Sequence, residues 1–290
     1  MTFFRLPQLQ TASLLTTPFL IAASLVGCGG SSGSDDDPEE VGTDRGIVVI
    51  DASVDAGTTW QWQLQGTLNT GYDVTLYDID LFDTSASQIA ELQQQGRLVI
   101  CYFSGGSYEE WRDDAGDFPE AVLGNNLDGW EGERWLDIRA DSVRDIMAVR
   151  LGIAADKGCD GVEPDNMDGY LNDPGFDLTY DDQLSYNRFI ADAAHEVGLL
   201  VGLKNDLDQI EDLVTYFDFA VNEECWEYQE CDMTLPFIEA GKAVLHAEYS
   251  DALQDSATRA EFCDDMNALG LSSLYLPLDL DDSFRFSCQE

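Results

Sequence analysis

"SVRDIMAVRLGIAADKGCDGVEPDNMDGY", residues 142–170, holds a helix, a strand and a crowd of acids in one continuous piece. In 142–158, Val143, Ile146, Met147, Val149, Arg150, Ile153 and Ala154 recur at helical spacing, which predicts one buried face. In "CDGVEPD", 159–165, the pattern shortens to that of a strand. Pro164 fixes its own backbone torsion and restricts that of Glu163, which suits a strand breaking sharply into a loop. Four acids, Asp160, Glu163, Asp165 and Asp168, sit in or beside this strand. They are either a solvated acidic loop or carboxylates gathered at a strand end for chemistry.

The same alternation runs outward in both directions. Eight β-type runs follow one another: "TWQWQL" (59–64), "DVTLYDID" (73–80), "RLVICYFS" (97–104), "CDGVEPD" (159–165), "LLVGLKND" (199–206), "FDFAVNE" (217–223), "AVLHAEYS" (243–250) and "SSLYLPLD" (272–279). Amphipathic segments separate them, such as "DDQLSYNRFIADAAHEVG" (181–198), which presents Leu184, Phe189, Ile190 and Ala194 and closes on Gly198. Strands alternating with helices predict an α/β fold with a parallel sheet, and eight units in roughly 230 residues predict a single (β/α)8 TIM-type barrel. A doubly wound open sheet is the alternative. No GxGxxG follows any run, which removes the usual reason to prefer it.

In a barrel the chemistry lies where strands run out into loops. Those ends carry Asp78 and Asp80, then Tyr102 and Ser104, then Glu163, Asp165, Asn166 and Asp168. Lys204 and Asp206 end the fifth run, Asn222, Glu223 and Glu224 the sixth, Glu248 and Tyr249 the seventh, and Asp279 the eighth. Any strand leaving a core ends on polar residues, but here carboxylates recur at nearly every end, directly against apolar strand residues.

The chain has 57 acids against 14 bases, for a formal net charge of −43. Such a polyanion is repelled by nucleic acid and by anionic membrane surfaces, so no nucleic-acid partner is expected. Acids spread along the whole chain, with little lysine, point to a surface adapted to high salt. Attraction of a cationic substrate adds to this.

Residues 1–27 hold one base, Arg5, no acid, and an apolar run, "LLTTPFLIAASLVG", too short for a comfortable membrane span. The run ends in "LVGC", 25–28, which resembles the lipobox of bacterial lipoproteins and implies cleavage before Cys28 and lipidation there. "GGSSGSDDDPEEVGTD", 29–44, has the composition of a tether. The expected organisation is a signal peptide (1–27), a lipidated Cys28 with an acidic linker (28–57) and a folded domain (58–290). The expected location is the cell surface or periplasm of a bacterium, on a lipid anchor, as a monomer.

Export leaves six cysteines in an oxidising compartment: Cys101, Cys159, Cys225, Cys231, Cys263 and Cys288. Disulfides are expected rather than zinc, because there are no CxxC pairs and only two histidines, His195 and His246. Spacing alone leaves the connectivity open. Cys225 with Cys231 and Cys263 with Cys288 are the natural short loops, which would leave Cys101 with Cys159.

No GxSxG elbow stands at a strand–helix turn, and neither HExxH nor a Walker loop is present. His195 falls on a helix and His246 in mid-strand, so carboxylate chemistry remains. Glycoside hydrolysis needs one acid protonated to release the leaving oxygen and one ionised to attack the sugar or activate water. Neighbouring acids such as Glu163, Asp168 and Glu224 can raise one pKa by like-charge repulsion. Trp60, Trp62, Tyr77, Tyr102, Tyr170, Trp226, Tyr228 and Tyr249 flank the same loops, and sugar faces stack on such rings.

Taken in order, "TTWQWQLQG", "YDIDLFDT", "CYFSGGSYEEWR", "WEGERWLDIR", "GCDGVEPDNMDGY", "VGLKND", "FAVNEECWEYQEC" and "AGKAVLHAEY" resemble glycoside hydrolase family 114, the endo-α-1,4-polygalactosaminidases. The resemblance runs from about Thr58 to Cys288. It implies a (β/α)8 barrel that cleaves α-1,4-linked galactosamine polymers, which are cationic when deacetylated. It carries the family's strand-four catalytic aspartate onto Asp165 and its strand-six catalytic glutamate onto Glu223. Glu224 stands where glutamine is often found, adding a negative charge beside Glu223.

The expected mechanism is a retaining double displacement, with Asp165 as nucleophile and Glu223 as acid and then base; an inverting pair is the alternative. Asp78, Asp80, Glu163 and Asp168 are candidates to grip amino or hydroxyl groups of the sugar. Tyr102, Asn166, Glu224, Trp226, Glu248 and Tyr249 complete the expected substrate site. Lys204 either neutralises the cluster or pairs structurally with one acid, since a buried charge needs a partner. Two rivals are a non-catalytic carbohydrate-binding lipoprotein and a divalent-cation site on Asp165, Asn166 and Asp168. The second has no EF-hand loop behind it, so neither metal nor cofactor is expected.

Overall fold

A computed structural model describes residues 52–289. All eight runs are strands of one curled sheet: β1 (Trp60–Gln63), β2 (Leu76–Asp80), β3 (Leu98–Ser104), β4 (Gly161–Asp165), β5 (Leu200–Lys204), β6 (Phe219–Glu223), β7 (Val244–Glu248) and β8 (Ser272–Tyr275). Each pairs in parallel with the next, in chain order. A short antiparallel strand, β9 (Phe286–Ser287), lies on the edge of β8. Among the described residues β1 and β8 share no backbone ladder. The gap between them is bridged by the Trp60 indole N–H, which donates to the Ser272 carbonyl at 2.8 Å.

Among the described residues seven α-helices occur: α1 (Ala86–Gln94), α2 (Asp141–Lys157), α3 (Tyr180–Glu196), α4 (Ile210–Leu213), α5 (Cys225–Tyr228), α6 (Leu235–Glu239) and α7 (Ser256–Leu269). The β1–β2 connection carries no helix, and α4 to α6 are single turns, so the barrel's outer ring is thinner there. The predicted face of α2 needs one correction. Val149 is 63% exposed, whereas Arg150 is fully buried. Arg150 is tolerated there because its guanidinium donates to Asp114 at 2.8 and 2.9 Å and to the Ser104 carbonyl at 2.8 Å.

The period of two along each strand sorts side chains into two layers. Trp60, Trp62, Leu76, Ile100, Leu200, Phe219, Val221, Leu245 and Leu274 fill the interior of the curled sheet. Their alternates, among them Tyr77, Ile79, Val99, Cys101, Phe103, Val162 and Leu203, pack outward against the helices. Gly202 makes room inside: a Cβ there would lie 2.4 Å from the Phe219 ring.

Between β3 and α2 the chain inserts a three-stranded antiparallel sheet, Ser107–Glu109, Leu123–Asn126 and Glu133–Leu136, which the alternation alone does not announce. The folded part also starts ahead of Thr58. Val54 is buried, and its carbonyl accepts from Ala243 N at 2.9 Å. Disulfides join Cys101 to Cys159, Cys225 to Cys231 and Cys263 to Cys288. No described helix is long and apolar enough to cross a membrane. The signal-peptide, Cys28 and tether expectations lie outside the described residues.

Candidate active site

Three strands end in the same way. Asp165 closes β4, Lys204 closes β5 and Glu223 closes β6. The next residue in each case, Asn166, Asn205 or Glu224, adopts a left-handed backbone with φ of 60, 48 and 62°. That conformation costs an L-residue with a Cβ of order 1 kcal/mol, least for Asn. It breaks each strand at the point where its last side chain still points inward. Asn205 then holds the neighbouring strand end, because its Oδ1 accepts from Glu223 N at 2.9 Å.

Lys204 is the centre of the site. Its side chain is 2% exposed, and Nζ lies 3.0 Å from Asp165 Oδ1, 3.1 Å from Glu163 Oε1 and 3.2 Å from Glu223 Oε2. Three N–H donors thus meet three carboxylates, and the Trp62 ring lies 4.8 Å away. Burial opposes the ammonium's charge, but the three carboxylates outweigh it and hold its pKa well above the usual lysine value.

Asp165 also accepts from Tyr102 Oη at 2.8 Å on Oδ2 and from Asn166 N at 2.7 Å on Oδ1. Burial disfavours its charge, yet Lys204 and these donors together hold its carboxyl below the usual range. Glu223 accepts from Tyr249 Oη at 2.5 Å. Asp165 and Glu223 remain partly open to solvent, at 21 and 25%, while Glu163 is closed off below them.

Beneath Lys204, Asp78 and Glu163 are neighbours, and both are fully buried. Burial first, and then the Glu163 charge, push the Asp78 carboxyl far above its ordinary value. The neutral form of Asp78 is thereby favoured beside Glu163, which limits the charge buried beneath Lys204. Asp168 is pushed up to about 6 by burial and then by the Asp165 charge.

The cleft above these residues has a volume of about 1210 Å³ and is lined by eleven acids but only two bases, Arg112 and Lys204. Asp80, Tyr102, Asn166, Asp168 and Glu224 line it with the central pair. Asp80 is also bound on both oxygens by Arg112, at 3.2 and 2.7 Å. Glu248 lies outside the cleft, with the opposite strand parity; its Oε1 accepts from Trp226 N at 2.8 Å and lies 3.2 Å from His246 Nε2. Trp226 packs edge-on against Phe262 and does not line the cleft. Cys225, Cys231 and His246 come together, but the two sulfurs are joined to each other and offer no thiolate to a metal.

The insertion contributes residues that strand-end reasoning missed: Glu109, Trp111, Asn125, Asn126, Asp128, Trp130, Glu133 and Trp135 all line the cleft. Glu133 accepts from Ser107 Oγ at 2.8 Å, Ser107 meets Ser104, and Asn166 Nδ2 donates to Ser104 Oγ at 3.0 Å. Burial drives Glu133 up to about 7. Only the density of Trp, Asn and acid in 109–135 could have pointed to this segment.

Residues 50–290 match the model of the glycoside-hydrolase family GH114. The chain belongs to that family. A crystal structure of Aspergillus fumigatus Ega3 in complex with galactosamine is 43% identical, with 82% of this chain and 98% of that one aligned at a TM-score of 0.78. The glycoside hydrolase domain of PelA from Pseudomonas aeruginosa shares the fold, at 12% identity and a TM-score of 0.60, over 78% of this chain and 96% of that one. No curated protein sequence matches the chain. The GH114 member described here is thus a glycosidase on a TIM-like parallel sheet, with its cleft at the carboxyl ends of the strands.

Proposed function

We propose that this GH114 enzyme cleaves internal α-1,4 bonds of galactosamine-rich polysaccharide by a retaining double displacement. The observation that carries the reading is the single buried ammonium of Lys204 on both Asp165 and Glu223. Oxygens bound to one nitrogen at these distances are at most about 6 Å apart, which suits the short separation of retaining pairs better than the gap that holds a water in inverting ones. Asp165, held ionised by Lys204 and Tyr102, attacks the anomeric carbon. Glu223, more open and oriented by Tyr249, gives its proton to the leaving oxygen and then takes one from water.

The 43% identity to a protein crystallised with galactosamine supports a hexosamine substrate. The excess of acids in the cleft supports a cationic, deacetylated one. The cleft exceeds the roughly 300–1,000 Å³ of ordinary small-molecule sites, which favours a length of polymer over a chain end. An exported monomer anchored through Cys28 completes the reading.

The test is to incubate the protein and its Asp165→Asn and Glu223→Gln variants with deacetylated and acetylated galactosamine oligomers. Only the unaltered protein is expected to release fragments, faster from the deacetylated chain. Equal release by all three, or none from the folded unaltered protein, would overturn the assignment.

A further inference from the structure

Two indoles in the inserted sheet are not accounted for by the catalytic cluster. Trp111 is 53% and Trp130 43% exposed, although Trp60 and Trp62 are 1% and Trp135 8% exposed in the same fold. Both line the cleft that holds Asp165 and Glu223. Neither touches Lys204, whose ring neighbours are Trp62 and Tyr102.

The backbone is shaped to hold them. Gly132, at φ +94°, faces the Trp111 ring, and a Cβ there would come within 3.0 Å of a ring carbon. The glycine therefore lets the indole close on the main chain, in a backbone conformation that favours glycine. The turn bearing Trp130 is pinned by Leu127 N to Glu133 O at 3.0 Å and by Glu110 N to Gly132 O at 3.1 Å. An exposed aromatic face on a pinned turn buries area on binding with little entropy lost, which is the character of a preformed binding surface.

We infer that Trp111 and Trp130 form a sugar-binding platform beyond the unit held at Asp165 and Glu223, and that it takes further hexosamine units of a cationic polymer. The indole faces cover the C–H faces of the sugars. Asp128 and Glu133, on the same wall of the cleft, face their ammonium groups. The inference rests on the polymer substrate proposed above, and it adds that binding strength comes from the insertion rather than from the barrel.

The test uses Trp111→Ala, Trp130→Ala and the double variant, each also combined with Glu223→Gln so that binding is read without turnover. With deacetylated galactosamine oligomers of increasing length, the ratio of kcat/KM on the longest to the shortest cleaved oligomer is expected to fall about ten-fold in each single variant. In the Glu223→Gln background, quenching of tryptophan fluorescence by long oligomers is expected to weaken by a similar factor. Both side chains are exposed, so a matching thermal midpoint shows that the variants are folded. A length ratio and a binding constant that do not change would overturn the platform while leaving the reaction intact. Length-dependent binding lost in the variants of a protein that cleaves no oligomer would uphold the platform and overturn the proposed reaction.

Discussion

Lys204 Nζ sits 3.0 Å from Asp165 Oδ1 while remaining almost wholly buried, so one ammonium both neutralises and aims the residue assigned to attack the sugar. Lys204→Met leaves the buried Glu163 and the partly open Asp165 and Glu223 without their cation. Breaking a buried pair costs about 3–5 kcal/mol. The loss should be larger at pH 7 than at pH 5, because the orphaned acids can take up protons at the lower pH. Urea unfolding at the two pH values measures it; a pH-independent loss would show that Lys204 is not their counter-charge.

Tyr102 donates to the other oxygen of Asp165 and helps to hold its pKa down. Tyr102→Phe removes that donor, so the acid limb of kcat/KM should move to higher pH. An unmoved limb in a variant with unchanged melting would separate that limb from Asp165.

If Asp165 forms a covalent glycosyl intermediate, the first sugar released from an α-linked chain has the α configuration. Proton NMR of the initial product reads this directly. A β product would transfer the mechanism to an inverting pair.

Glu133 is raised to about 7 and Asp168 to about 6, chiefly by burial. Between the ordinary carboxylate pKa and these values the folded state binds more protons than the unfolded one. These groups therefore stabilise the fold fully only below the ordinary pKa, and the contribution is lost as pH rises through about 6 to 7. The melting temperature should fall over that window. Glu133→Gln should flatten the fall, as followed by thermal melts across pH.

The disulfides should rank by loop length. The Cys101–Cys159 bridge spans 58 residues and Cys225–Cys231 only 6. In the chain-entropy model these correspond to about 4 and about 2 kcal/mol. Replacing each pair by alanine and comparing unfolding free energies checks the order.

Much of this was open to sequence reading because it depends on local periodicity. The eight strands and the acids and lysine at their ends follow from patterns within a few residues, the even number of exported cysteines announces disulfides but not their pairing, and Asn after Asp165 and Lys204 marks where a left-handed turn is cheapest. Other features depend on residues far apart in the chain. Glu163 and Glu248 look alike as strand-end acids, yet inward parity puts one under Lys204 and outward parity puts the other on the N–H groups of α5. A slip of one residue would exchange such roles, and register is set by packing between strands. The inserted sheet and its tryptophans were hidden for the same reason, since its pairing of Ser107 with Trp135 and Leu123 with Leu136 has no local period to announce it. Local chemistry thus supplied the candidates for the site, and long-range packing chose which of them meet at one ammonium.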